Sequence, residues 1–273
     1  MKLALTVQTS EVDRTVPVAL LSGTFEEKIA KARDLGADGV ELLTSNPTTL
    51  DAGRIRACLE QNALEVAAIG SGAVAFAAGL RLLDADPDTA SRARQRLHEL
   101  VDLAAAVGAP LVTIGSFRGW AGPAGTQRGR ERLAALLREA AARAQAAGVR
   151  LVLEPLNRYE ADLIHTAEEG LAFLREIGHP ALGLLLDTYH VNIEESSWTE
   201  PFRQAAAVGQ LWHVHLGDNN RLPPGRGLID FPAITATLRE AGYTGYLSAE
   251  LLGRPDPDTA ARQTLDYMRR LSA

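Results

Sequence analysis

The stretch LWHVHLGDNNRLPPGRGLIDF, Leu211–Phe231, reads as a strand, a loop and the start of a helix. Leu211–His215 is an apolar run that places His213 and His215 on one face, because side chains of a strand alternate with a period of two. The loop carries Asp218, Arg221, Arg226 and Asp230 between prolines and glycines, which is the chemistry of a turn-rich connection. Phe231 then opens a run with helical spacing. A strand that delivers imidazoles into a charged loop points to one wall of a metal site, since neutral imidazole is a common metal ligand.

The same unit recurs along the chain. Strands are predicted at Leu3–Val7, Gly39–Leu43, Glu65–Ile69, Leu111–Ile114, Leu151–Glu154, Leu182–Asp187, Leu211–His215 and Tyr246–Glu250. Between them, apolar residues recur at three- and four-residue spacing. Helices are predicted there over Thr24–Leu35, Ala52–Gln61, Thr89–Val107, Thr126–Ala147, Thr166–Ile177, Pro201–Ala207, Phe231–Ala241 and Pro257–Leu271. Gly36, Gly108, Gly148, Gly178 and Gly242 each follow a helical run just before a strand, where glycine supplies the left-handed stop. Near-continuous apolar strands alternating with helices mean a parallel sheet covered by helices. Eight such units without a linker or composition break favour an α/β fold that is a single (β/α)8 TIM barrel, one domain over residues 1–273.

The chain has 273 residues, a net charge of −6 and one cysteine, Cys58. A chain this long buries a sizeable core without a disulfide or metal staple. The acidic balance argues against nucleic acid, which is held by neutralising phosphates with Lys and Arg. No apolar run reaches the roughly 18 residues of a membrane span. The opening MKLALTVQTS is too short for the core of a signal peptide, so the expected location is cytoplasmic.

Function in such barrels collects at the C-terminal strand ends and the loops beyond. Gln8, Thr9 and Ser10 follow strand one, Glu41 and Thr44 strand two, and Ser116, Arg118 and Trp120 strand four. Glu154, Asp187, His215 and Glu250 interrupt or end the apolar runs of strands five to eight. Charged residues there are rarely buried alone. Three carboxylates and an imidazole pointing at one mouth repel one another unless a cation lies between them. An oxygen-rich set with one nitrogen suits Mn²⁺, Mg²⁺ or Co²⁺. His213 is expected to support from below. His190 can contact substrate or orient a ligand, and Arg221 is expected to face substrate. His98, His165 and His179 are expected to be structural or on the surface.

Three motifs carry a resemblance: EPLNRYE (Glu154–Glu160), LDTYHVNIEE (Leu186–Glu195) and HVHLGDNNRLPPGRG (His213–Gly227). They look like those of the ketose 3-epimerase group (D-tagatose/D-allulose 3-epimerases) of the xylose-isomerase-like barrel superfamily. The resemblance implies a divalent metal, usually Mn²⁺, on Glu154, Asp187, His215 and Glu250. It also implies that the two glutamates move the proton, and that Glu160, His190 and Arg221 hold the O1–O3 end of a sugar. In the N-terminal half, MKLALTVQTS, AIGSGAVAFAAGL and GSFRG more closely resemble 5-keto-L-gluconate epimerases, whose substrate bears a carboxylate. Arg118 is therefore either a carboxylate-binding residue or a surface loop residue. A homo-oligomer is expected from the resemblance.

The expected reaction inverts the carbon beside a ketone, in a ketose or keto-hexonate, by two-glutamate proton transfer through a cis-enediolate. An aldose–ketose or hydroxypyruvate isomerase, a dehydratase, and a non-catalytic sugar-binding barrel are the competing readings. A repair endonuclease on the same architecture would need more histidines at the strand ends and a basic face.

Overall fold

The computed structural model describes residues 1–272. The strands are β1 Lys2–Gln8, β2 Gly39–Leu43, β3 Glu65–Gly70, β4 Leu111–Ile114, β5 Arg150–Leu153, β6 Leu182–Asp187, β7 Leu211–Leu216 and β8 Tyr246–Ala249. Each pairs in parallel with the next, and β8 returns to β1, closing the barrel. The helices are α1 Phe25–Asp34, α2 Ala52–Gln61, α3 Gly72–Phe76, α4 Pro87–Val107, α5 Thr126–Ala146, α6 Ala167–Ile177, α7 Thr188–Glu194, α8 Glu200–Ala207, α9 Phe231–Glu240 and α10 Pro257–Ser272. The eight predicted helices are present with ends shifted by up to two residues. The short α3 and α7 follow β3 and β6 at the mouth, in stretches whose spacing predicts no helix.

Local chemistry explains the ends. Thr24 accepts from Glu27 N while the Glu27 carboxylate accepts from Thr24 N, a reciprocal cap that starts α1. Asp86, Thr166 and Asp230 cap α4, α6 and α9 through a side-chain oxygen. Gly108 and Gly178 end α4 and α6 in the left-handed region, at φ of 77° and 65°, which a side chain would disfavour.

Leu5, Val7, Val40, Leu42, Leu151, Leu153, Leu184 and Leu186 face outward and join the apolar faces of the helices in one large core. Inside the barrel, the two halves differ. Ala68, Leu111, Val152 and Leu185 form an apolar plug from β3 to β6, with Trp212 packed against it. From β7 round to β2, the middle of the inner face carries buried His213, Ser248, Thr6 and Glu41, with Ala4 and Tyr246 toward the strand starts. Period-two alternation then puts Glu154 two residues beyond Val152, Asp187 beyond Leu185, His215 beyond His213 and Glu250 beyond Ser248, all toward the mouth. The barrel register shifts at Val40/Glu41 against β3 and at Leu184/Leu185 against β7. Such irregularities re-aim side chains, and Trp212 and His213 use the second one. Gly183 carries no side chain where the Trp212 ring sits.

Candidate active site

Glu154, Asp187, His215 and Glu250 each bring one ligand atom to within 4.8 Å of the others. Glu154 and Glu250 lie one residue past the last paired residues of β5 and β8. Asp187 ends β6 and caps α7: its Oδ1 accepts from Tyr189 N at 2.8 Å. Its other oxygen, Oδ2, faces the cluster. Glu154 Oε1, Asp187 Oδ2 and His215 Nδ1 are buried and have no hydrogen-bond partner among the described residues. His215 Nδ1 stands 3.6 Å from Glu154 Oε1 and 3.5 Å from Glu250 Oε2. Unpaired buried oxygens and one free imidazole nitrogen, turned to a common point, are what a divalent cation requires. The residues fit the ion that the resemblance implies.

The electrostatics show how closely charge is crowded in the cluster. Burial, reinforced by Glu154 and Glu250, pushes the Asp187 carboxyl up to about 7. Burial also raises Glu154, with Glu250 adding to it. Burial acts the same way on Glu250, but His215 and Arg221 outweigh it and hold that carboxyl below its ordinary value. His215 is driven well up, because Glu41 and Glu250 overcome its burial.

Glu41, among the polar residues expected after β2 but given no role, lies within the barrel beneath the mouth. It is fully buried and meets both histidines: His213 Nε2 is 2.9 Å from Oε2, and His215 Nε2 is 3.0 Å from it. Burial opposes ionisation of Glu41, but the two imidazoles overcome it and hold the carboxyl far below the usual range. The expected supporting role of His213 takes this form. Its partnership runs across the barrel, between strands that do not touch, so no local pattern reveals it.

The cavity above the cluster encloses about 230 Å³, the scale of a single monosaccharide. Glu154, Glu160, His190, Arg221 and Glu250 line it, with Thr113 and Ser116. Its apolar lining is Val16, Pro17, Val18, Phe76, Leu156 and Leu252. The Val16–Val18 segment is set by Gln8, which accepts from Val16 N and donates to Val12 O.

His190 is buried, and its Nδ1 faces two donors, Asn157 N at 3.3 Å and Asn157 Nδ2 at 2.8 Å. Nδ1 therefore accepts, and Nε2 carries the proton. That N–H points into the site, 3.8 Å from Glu154 Oε1. Burial and the nearby Arg221 keep the ring neutral. Arg221 donates to Glu250 Oε2 at 3.0 Å and to Glu160 Oε1 at 3.4 Å, and stacks 4.7 Å above the Tyr189 ring. Its backbone holds φ of 59°. The loop around it is gathered by buried Asp218, whose two carboxylate oxygens accept from the backbone N–H of Asn219, Gly225, Gly227 and Ile229.

Arg118 is placed otherwise than a carboxylate-binding or surface residue. It is completely buried and is absent from the cavity lining. Its guanidinium donates to the backbone carbonyl of Glu154, and to those of Leu163 and Ile164 at 2.7 and 3.1 Å. Burial lowers its pKa to about 10. The short turn Ser116–Arg118 after β4 folds the side chain under the following loop, where its two terminal nitrogens are spent on backbone carbonyls. Arg221 is the arginine that lines the cavity.

A closed parallel barrel whose convergent acids, imidazoles and arginine crowd the C-terminal mouth places the chain among the (β/α)8 enzymes. Comparison with known proteins narrows this. Residues 29–271 match the family model described as xylose isomerase-like TIM barrel, and the chain belongs to that family. L-ribulose 3-epimerase of Mesorhizobium japonicum is 36% identical over 232 residues, 83% of this chain and 75% of that protein. Ketose 3-epimerase of Arthrobacter globiformis is 32% identical over 226 residues, 80% of this chain and 74% of that protein. The crystal structure of D-allulose 3-epimerase from Methylomonas sp. in complex with D-allulose superposes with a TM-score of 0.79 at 25% identity, covering 98% and 97% of the two chains. With these relatives, the chain is an isomerase of the racemase and epimerase class. Among the described residues, no helix is long and apolar enough to cross a membrane.

Proposed function

We propose that the protein is a metal-dependent 3-epimerase of neutral ketoses. The observation that carries this is the convergence of unpaired, buried Glu154 Oε1, Asp187 Oδ2 and His215 Nδ1 beside Glu250, under a cavity of monosaccharide size. Glu154, Asp187, His215 and Glu250 would hold the ion, with Mn²⁺ preferred and Mg²⁺ or Co²⁺ also suited to the donor set. Bound there, it supplies Lewis-acid polarisation of the ketone, which acidifies the neighbouring C–H.

The protein's residues do the rest. Glu154 and Glu250 come from β5 and β8, so they can address two faces of one substrate carbon. One carboxylate takes the C3 proton and the other acid returns a proton to the opposite face. The substrate passes through a cis-enediolate. The His190 Nε2–H and the Arg221 guanidinium are placed to donate to the oxygens on which its charge develops. Glu160, tied to Asn157 and Arg221, is left to receive a substrate hydroxyl. The apolar wall formed by Val16–Val18 and Phe76 faces the rest of the sugar.

A carboxylate-bearing substrate is disfavoured. Arg118 is withdrawn into the structure, and Arg221 already faces Asp187, Glu250 and Glu160. The reading therefore moves from the keto-hexonates to the neutral ketoses named for the relatives. The test is turnover of purified, Mn²⁺-loaded protein on a panel of ketopentoses, ketohexoses and keto-hexonates in D₂O, followed by NMR. Inversion at C3 with deuterium uptake and an unmoved carbonyl is expected. A carbonyl that migrates to C1 would make the enzyme an aldose–ketose isomerase. Preferred turnover of the keto acids would overturn the neutral-substrate reading. A cytoplasmic homo-oligomer remains part of the proposal, and light scattering on the purified protein reads its assembly.

A further inference from the structure

The metal reading accounts for His215 Nδ1 but not for the charged residue behind that ring. Glu41 is a fully buried glutamate on β2, and β8 and β1 separate that strand from β7. An ionised carboxylate only accepts hydrogen bonds. Its Oε2 lies between two imidazole nitrogens, His213 Nε2 at 2.9 Å and His215 Nε2 at 3.0 Å, the geometry of one acceptor shared by two N–H donors. The form of imidazole that ligates a cation is neutral and has one N–H, so with that N–H on Glu41 His215 Nδ1 is left as a lone pair facing Glu154 and Glu250. Without the carboxylate, the opposite tautomer is free to form and would put a proton where the ion binds.

Two further observations show that the fold accommodates this contact. The β2 register against β3 is irregular at Glu41 itself, and the β6–β7 register is irregular beside His213. At Gly70, a side chain would run into Leu43 and come within 3.1 Å of Glu41 Oε1. Glycine leaves the carboxylate its space.

We infer that Glu41 is a positioning residue: anchored by His213, it fixes the tautomer and ring orientation of His215 so that Nδ1 is presented to the metal. The inference rests on the metal reading above. Partners of this kind are generally worth about 10- to 100-fold in metal affinity. Gln at position 41 has one acceptor and one donor on its amide, so it can satisfy one imidazole N–H and opposes the other.

The experiment compares wild type, Glu41→Gln, His213→Leu and His213→Gln by Mn²⁺ titration calorimetry and by the visible spectrum of the Co²⁺-loaded proteins. Metal-free melting curves establish that each variant is folded. Glu41→Gln is expected to weaken Mn²⁺ by about 10- to 100-fold and to change the Co²⁺ bands. His213→Leu removes the anchor of Glu41 and is expected to weaken Mn²⁺ several-fold. His213→Gln keeps a donor to Glu41 and is expected to restore affinity to within about twofold of wild type. Glu41→Gln with wild-type affinity and an unchanged Co²⁺ spectrum overturns the inference. Should Glu41→Gln not fold, equal Mn²⁺ affinity in His213→Leu and wild type overturns it instead. A wild-type protein that binds neither ion removes the metal reading itself, a result distinct from either of these.

Discussion

The barrel has two inner halves of opposite character, and both serve the same mouth. From β3 to β6 the interior is Ala68, Leu111, Val152 and Leu185, and it holds its carboxylates from the strand ends alone. From β7 to β2 its middle layer is His213, Ser248, Thr6 and Glu41, and it holds its imidazole from below with hydrogen bonds. A carboxylate needs only to be aimed, because its two oxygens are equivalent. Imidazole nitrogens are not equivalent, so the ring must also be told which one carries the proton. The polar half is where the barrel makes that choice. On the apolar side, aiming is done by the backbone. Arg118 ties the Glu154 carbonyl to the loop at Leu163 and Ile164, and Gly115 leaves the room that Glu154 Oε2 occupies.

The largest effect expected from breaking this arrangement is chemical. Glu154→Gln and Glu250→Gln each remove a proposed proton-transfer group, and kcat for C3 inversion should fall by roughly 10²- to 10⁴-fold with the melting curve retained. Near-wild-type turnover in both would end the two-carboxylate mechanism. Next comes Arg118→Met. It leaves buried carbonyls without a donor and should destabilise the fold by about 3 kcal/mol, measured by urea unfolding. Its kcat/KM values for ketoses and keto acids should change in parallel, whereas a selective loss on keto acids would restore Arg118 to the substrate.

Gly115→Ala introduces a methyl group where Glu154 Oε2 sits. The Glu154 carboxylate must shift to make room, and kcat/KM should drop by roughly tenfold or more. Val152→Thr carries a hydroxyl into the apolar half, with a cost of about 1–3 kcal/mol expected in denaturant unfolding. Ser248→Ala is its counterpart in the polar half. Ser248 Oγ is buried with no hydrogen-bond partner among the described residues, so its removal should leave stability unchanged or raised. If Val152→Thr proved as mild as Ser248→Ala, the contrast between the halves would carry no energetic weight.

Much of this was legible in the order of residues. Alternation and helical spacing place the strands, the long helices and the four convergent side chains at the mouth, because those depend on period and on position along the chain. The Glu41–His213–His215 contact was not legible. It joins strands on different sides of a closed barrel and depends on two local register shifts. Arg118 shows another limit. A residue in a short turn after a strand can swing over the mouth or under the next loop, and only the packed neighbour decides. The helices α3 and α7 were missed because five and seven residues are too few to display a period.

The Asp218 carboxylate has a consequence for how the enzyme meets its substrate. Four backbone N–H groups converge on it, and the carbonyl of Arg221 accepts from Leu252 N at the end of the barrel. The arm that carries Arg221 is thus immobilised when the chain folds. Its ordering entropy does not recur at each encounter with a sugar. The arm behaves as a fixed jaw, and any adaptation to sugars of different length falls to the apolar Val16–Val18 segment and Phe76.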